Sequence, residues 1–215
     1  MNESVIKTLV VALIVCLLCS LVVSSVAVSL RDAQKLNKLN DQRIKVLQAA
    51  GIYDDTKSIE EQFNSITSKL IDFENNAIVD SFGDIDLSTY DPVEYSKKDG
   101  YFTPIAPNDD IAVIKNREKF GKIFILKDSE NNLSKVILPI RGYGLWGTLY
   151  GYISLSSDLN TIEGLEFYEH KETPGLGGEV DNQKWKNMWV GKKIYGLKND
   201  VQLQVIKGSV DNDSQ

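Results

Sequence analysis

The sequence predicts an α+β protein in which a single N-terminal transmembrane helix is followed by a globular domain with an antiparallel sheet covered by helices. Three observations predict it. From Thr8 to Leu30 no side chain is charged. Between Lys122 and His170 four β-rich runs follow one another with short polar breaks. Segments with helical apolar spacing flank those runs on both sides.

The charge-free run is bracketed by Lys7 and Arg31. As a helix it would span about 34 Å, enough for a hydrocarbon core of about 30 Å. A secretory signal has a shorter apolar stretch and a small-residue cleavage site, so the length favours a retained anchor at 1–30. Ser20, Ser24, Ser25 and Ala27 would let a neighbouring helix approach closely in lipid. Cys16 and Cys19 both lie in this run and read as small packing residues, which leaves the remaining chain without thiol or disulfide chemistry. Arg31, Lys35, Lys38, Arg43 and Lys45 outnumber Lys7 and the amino terminus, a count that would keep the following domain in the cytoplasm; long domains can cross regardless of charge.

Leu36, Leu39, Ile44 and Leu47 predict a juxtamembrane helix within 31–55 that Gly51 ends. In "SIEEQFNSITSKL", Ser58 and Glu61 have capping-box spacing, and Ile59, Phe63, Ile66 and Leu70 predict one face of a second helix. Residues 75–110 are rich in Asp, Ser, Pro and Gly and predict a long irregular connection, whose Tyr90, Tyr95 and Tyr101 pack on the core. "KIFILKD" and "KVILPIRG" predict a hairpin, "TLYGYISLSSD" and "TIEGLEFYEH" two further strands, and together a four-stranded meander. Trp185 and Trp189, four apart, predict a helix capped by Asp181 or Asn182 and ended by Gly191. "KKIYG" and "VQLQVIKG" predict two last strands, with Val201, Leu203 and Val205 facing inward.

The net charge of −6 argues against nucleic acid as a partner. The usual dinucleotide and nucleotide phosphate cradles are absent: GxxxxGK does not occur, and the GxGxxG spacing of Gly142–Gly147 lies between two predicted strands rather than at the start of a helix. One histidine, His170, and no cysteine after Cys19 leave little for a transition metal, and no nucleophile elbow marks a hydrolase. The stretch that asks for chemistry is "HKETPGLGG", residues 170–178. Pro174 restricts its own backbone and that of Thr173, while Gly175, Gly177 and Gly178 leave the chain bare beside the Glu172 carboxylate. Such a loop suits a planar, hydrogen-bonding ligand; a plain strand-to-helix turn is the alternative. "RGYGLWG" repeats the theme around Trp146, which would stack on a ring or fill the core.

"FYEHKETPGLGGEVDNQKW", "KVILPIRGYGLWGTLYG" and "GKKIY", with "SLRDAQKLNKLNDQ" and "VLQAAGI" nearer the start, resemble the NqrC subunit of the Na+-translocating NADH:quinone reductase over nearly the whole chain. The related subunit of the Rnf electron-transport complex shares the glycine block, but "GLWG" and "GGEVDN" are more similar to the Nqr protein. The resemblance implies an FMN-carrying electron relay within a six-subunit complex of the bacterial inner membrane, in contact with membrane lipid. It implies a domain on the periplasmic side, against the charge count. It also implies that Trp146, Glu172, Thr173, Gly175, Leu176 and Gly177 lie against the flavin, with no catalytic residue and no metal. Members of the family bond the flavin phosphate to a threonine of an SGAT motif. No SGAT occurs here, so no covalent acceptor is carried over, and the expectation for 56–215 is an FMN-binding domain lacking its C-terminal part. The rival expectation is a membrane-tethered module that binds a small ligand.

Overall fold

A computed structural model describes residues 3–83, 85–205 and 208. The chain divides into two compact units, Met1–Asp41 and Gln42–Gln215. Helix α1 runs without a break from Glu3 to Ala50. In its apolar part the hydroxyls of Thr8, Ser20, Ser25 and Ser29 each donate to the carbonyl four residues back, which lets them sit in an apolar helix without an orphaned polar group.

The second unit begins with the last two turns of α1. Gly51, at φ +72°, ends the helix in a left-handed cap. Its N–H donates to Gln48 O and that of Ile52 to Leu47 O, both at 3.0 Å. Lys135 Nζ donates to the otherwise free Ala50 carbonyl at 3.0 Å. Helix α2 (Ile59–Phe63) is capped by Ser58, whose side chain accepts from Glu61 N. It is shorter than its apolar spacing predicts, because Ile66 and Leu70 belong to strand β1 (Ile66–Asp72). A separation of four residues shares a face on a helix and on a strand alike, so burial at 66 and 70 fits both. Pairing of β1 with β5 (Phe120–Lys127) decides for the strand.

The connection after β1 contains β2 (Ala77–Val79), α3 (Pro92–Tyr95), β3 (Phe102–Pro104) and β4 (Asn116–Glu118), the last two forming a small separate ladder. Its aromatics pack as expected. Tyr90 is buried and donates from its hydroxyl to Phe120 O at 2.7 Å, and Phe82 stacks on Phe120 with centroids 3.8 Å apart.

The meander is present as β5, β6 (Leu133–Tyr143), β7 (Thr148–Ser156) and β8 (Ile162–Glu169). The six-stranded antiparallel sheet has the order β2-β1-β5-β6-β7-β8. Alternation along β7 sends Tyr152 and Ser154 to one face, Ile153 and Leu155 to the other. The first face packs with Ile66, Phe124 and Ile137 against Val46, Leu47, Ala49 and Ala50 of α1. Gly164 of β8, paired with Ser154, makes room for that helix end: a Cβ there would lie 2.1 Å from Ala49 O. The second face packs Ile153, Leu155, Ile162 and Leu165 against Trp185, Trp189, Ile194 and Leu203.

After β8 come a 3-10 helix (Gly177–Asp181) and α4 (Gln183–Asn187), capped by Asn182 rather than Asp181. Trp185 and Trp189 contact each other with centroids 5.2 Å apart, and Gly191 at φ +82° ends the segment. The two last expected strands are absent among the described residues. Lys193 bridges Thr161 and Tyr195 bridges Val201 singly. A turn at Asn199, φ +59°, breaks the run, and Val201 and Val205 are exposed while Leu203 alone of that trio packs inward. The expected continuation through Ile206 and Lys207, and the segment from Ser209 onward, lie outside the described residues.

Candidate flavin-binding face

Two glycine-rich turns project from one end of the meander. The first links β6 to β7 and is closed by Gly144 N donating to Gly147 O at 2.8 Å. It leaves Leu145 and Trp146 exposed, Trp146 by 63%. The second follows β8. Thr173-Pro174-Gly175-Leu176 forms a β-turn in which Leu176 N donates to Thr173 O at 3.1 Å. Proline second and glycine third, with Gly175 at φ +76°, is the pattern a type II turn demands. Gly178 N also donates to Thr173 O, and a Cβ on Gly178 would meet that oxygen at 3.0 Å. Leu176 is 73% exposed.

Glu172 joins the two turns. One carboxylate oxygen, Oε1, accepts the Trp146 backbone N–H at 3.0 Å. A Cβ on Gly144 would fall 2.5 Å from Oε1, and one on Gly177 2.6 Å from Oε2. The carboxylate occupies both spaces, at Gly144 together with Leu149 Cδ1 at 2.5 Å. Of the residues singled out in the sequence, Glu172, Trp146 and Gly177 are therefore brought together through one side chain, and Leu176 sits exposed next to Gly177. Glu172 is partly buried, and its Oε1 pins one loop to the other. Thr173 is exposed, and a Cβ on Gly175 would meet nothing within 4 Å, so the outer side of the turn is open.

Sequence reasoning missed Leu145 and Gly144, although the matched glycines of "GYGLWG" were the available signal. It also missed what His170 does. Its Nδ1 accepts from Glu172 N at 3.2 Å and its Nε2 lies 2.8 Å from Asp181 Oδ2. Asp181 is thus spent on the histidine, which is why Asn182 takes the cap. Behind the loop, a cleft of about 550 Å³ is lined by Lys45, Phe167, Tyr168, Glu169, His170, Asp181 and Lys186. At its floor Lys186 Nζ lies 2.7 Å from both Glu166 oxygens and Lys45 Nζ 3.1 Å from one. Burial pushes the Tyr168 phenol well above its usual range, with nearby Asp91 and Glu169 adding to the effect, so Tyr168 stays protonated and is no base.

The FMN-binding domain family matches residues 144–214, from the first glycine of the Glu172 cradle onward. A relative from Pseudomonas aeruginosa, the NqrC subunit of its Na(+)-translocating NADH-quinone reductase, is 43% identical over 99% of this chain and 82% of its own length. The chain belongs to the NqrC family of Na+-translocating NADH-quinone reductase subunits. A second NqrC, from Vibrio alginolyticus, is 37% identical over 100% of this chain and 82% of its own length. Among solved structures, Shewanella oneidensis NqrC superposes with a TM-score of 0.75 at 30% identity, covering 83% of this chain and 81% of that one. The NqrC structure from Parabacteroides distasonis gives 0.60 at 29%, covering 80% and 74%. The NqrC fold and the α+β class expected from the sequence agree.

The pinned turns fit a flavin. Leu145, Trp146 and Leu176 are large apolar side chains left in solvent on two turns that share one carboxylate, beside backbone without side chains. A flat, largely apolar ring system is the kind of group that such a surface accepts.

Proposed function

We propose that this chain is the membrane-anchored FMN-carrying subunit of a Na+-translocating NADH:quinone reductase, relaying electrons from NADH towards quinone with sodium export. The observation that carries this is the Glu172 pin, which holds the two glycine turns so that Leu145, Trp146 and Leu176 face outward within the FMN-binding match. Trp146 and Leu176 would lie against the ring, the bare backbone of Gly175 and Gly177 would allow close approach, and the Thr173 hydroxyl would add a hydrogen bond. Bound there, FMN supplies one- and two-electron redox chemistry; the chain supplies position and an apolar contact that excludes water. Glu172 acts indirectly, through the Trp146 backbone. No acceptor for a covalent bond is proposed within residues 1–215.

FMN titrated into the purified chain in detergent tests the site. Quenching of flavin fluorescence is expected with the parent chain, and Trp146→Ala or Leu176→Asp should weaken binding about tenfold, the loss of one good aromatic or apolar contact. Equal binding by all three proteins would move the flavin elsewhere. The other members of a six-subunit complex and membrane lipid are the proposed partners, and the domain is proposed to face the periplasm. An Asn199→Cys chain should react with a membrane-impermeant thiol reagent in intact spheroplasts. Protection until lysis would return the domain to the cytoplasm.

A further inference from the structure

His170 hydrogen-bonds on both sides of the second glycine turn, to Glu172 before it and to Asp181 after it. It follows the last residue of β8, so the sheet fixes where its ring starts. Because Nδ1 accepts the Glu172 N–H, the ring's own proton sits on Nε2 and points at Asp181, the last residue of the 3-10 helix. The side chain is 16% exposed, and Lys45, Lys186 and Glu169 line the same cleft. The imidazole thus closes the base of a loop that runs from residue 171 to 181. The connection continues outward: Glu172 N is held by His170, and Glu172 Oε1 holds Trp146 N.

We propose that His170 is a positioning residue for the flavin face, acting through Nδ1 to fix the Glu172 backbone and, by way of the Glu172 carboxylate, the Trp146 turn. The Asp181 contact on Nε2 sets the tautomer that leaves Nδ1 free to accept. Its purpose rests on the flavin reading above; its geometry does not.

The two ring nitrogens can be separated by substitution. His170→Asn keeps an acceptor near the Nδ1 position, since an asparagine side chain accepts readily from the N–H two residues on, but it is too short for Asp181. His170→Gln reaches towards Asp181 with a donor and loses the Nδ1 acceptor. His170→Ala loses both. Amide hydrogen exchange is measured on the full chain in detergent without flavin. In His170→Ala and His170→Gln the Glu172 and Trp146 amides should exchange about tenfold faster, the loss of one hydrogen bond, with the β7 amides unchanged. His170→Asn should stay close to the parent chain. On addition of FMN, the same two variants should change flavin quenching and His170→Asn should not.

Slow exchange at Trp146 in His170→Ala overturns the proposal, as does His170→Asn behaving like His170→Ala. Faster exchange spread equally over the β7 amides also overturns it, because the role would then be general stability. Failure of the parent chain to bind FMN sinks the proposed function separately, and the flavin-free exchange pattern still judges the clasp.

Discussion

Gly177 and Gly164 are both positions where a Cβ has no room, and they differ in what stands in the way. At Gly177 the obstacle is the Glu172 carboxylate at 2.6 Å, the end of a flexible side chain; at Gly164 it is the Ala49 backbone carbonyl at 2.1 Å. Gly177→Ala should therefore cost about 1 kcal/mol, mostly the lost bond to Trp146 N, while altering FMN binding clearly. Gly164→Ala should cost about 1–3 kcal/mol or more by forcing the end of α1 off the sheet, without touching the proposed flavin face directly. Urea denaturation and FMN titration on the two variants check the reversal of rank. Both glycines stand in plain view in the sequence. Which one guards a fold contact and which one a site contact was not legible, because Ala49 is far from Gly164 in the chain, and the nearby Glu172 carboxylate is held over Gly177 by its bond to the distant Trp146 N–H.

The turn between β7 and β8 shows how one carboxylate can organise an element. Asp158 accepts from the Ser156 and Thr161 hydroxyls, both at 2.6 Å, and from the Asn160 and Thr161 backbone N–H groups. These bonds, the Ser156 hydroxyl foremost, hold its carboxyl well below the ordinary value of 3.8. The same turn anchors the segment after α4, since Asn160 Oδ1 accepts from Tyr195 N at 2.7 Å. A depressed folded-state pKa means that Asp158 contributes stability above 3.8, lost as pH falls through the lower folded value. Asp158→Ala should be less stable than the parent near neutral pH, and the gap should close as the solution is acidified below 3.8. Chemical denaturation across pH measures it; a gap that persists in acid would mean the ionised carboxylate is not the cause. Element by element, the meander was legible because its runs are long and bounded by turn residues. The segment around Ile66 was not, since a spacing of four satisfies both periods, and the strand character of residues 192–205 was overstated because isolated apolar alternation needs a paired neighbour to become a strand.

Across the second unit, Glu166 is the tie between parts far apart in the chain. It joins Lys186 of α4 and Lys45 of the last turns of α1 to strand β8, with Glu166 and Lys186 side chains 8% and 7% exposed and Lys45 30%. Glu166→Ala leaves the buried Lys186 charge uncompensated and should cost about 3–5 kcal/mol. Lys45→Met should cost less than about 1 kcal/mol, because Lys45 is partly solvated and Glu166 keeps Lys186. Comparable losses on urea denaturation would mean that the triad acts as a unit. Nothing in the spacing of Lys45, Glu166 and Lys186 announces this cluster, which exists only once the sheet brings β8 beneath the helix ends.

Local properties of the chain were enough to establish the apolar helix, the antiparallel meander and the two glycine turns, because each depends on neighbours within a few residues: charge-free length, alternation, and the proline and glycine that a type II turn requires. The use made of those turns depended on long-range contact. Glu172, expected to lie against a ligand, also pins residues 144 and 177 together, since a hydrogen bond between turns 26 residues apart is set by the register of β6, β7 and β8 and not by the residues of either turn.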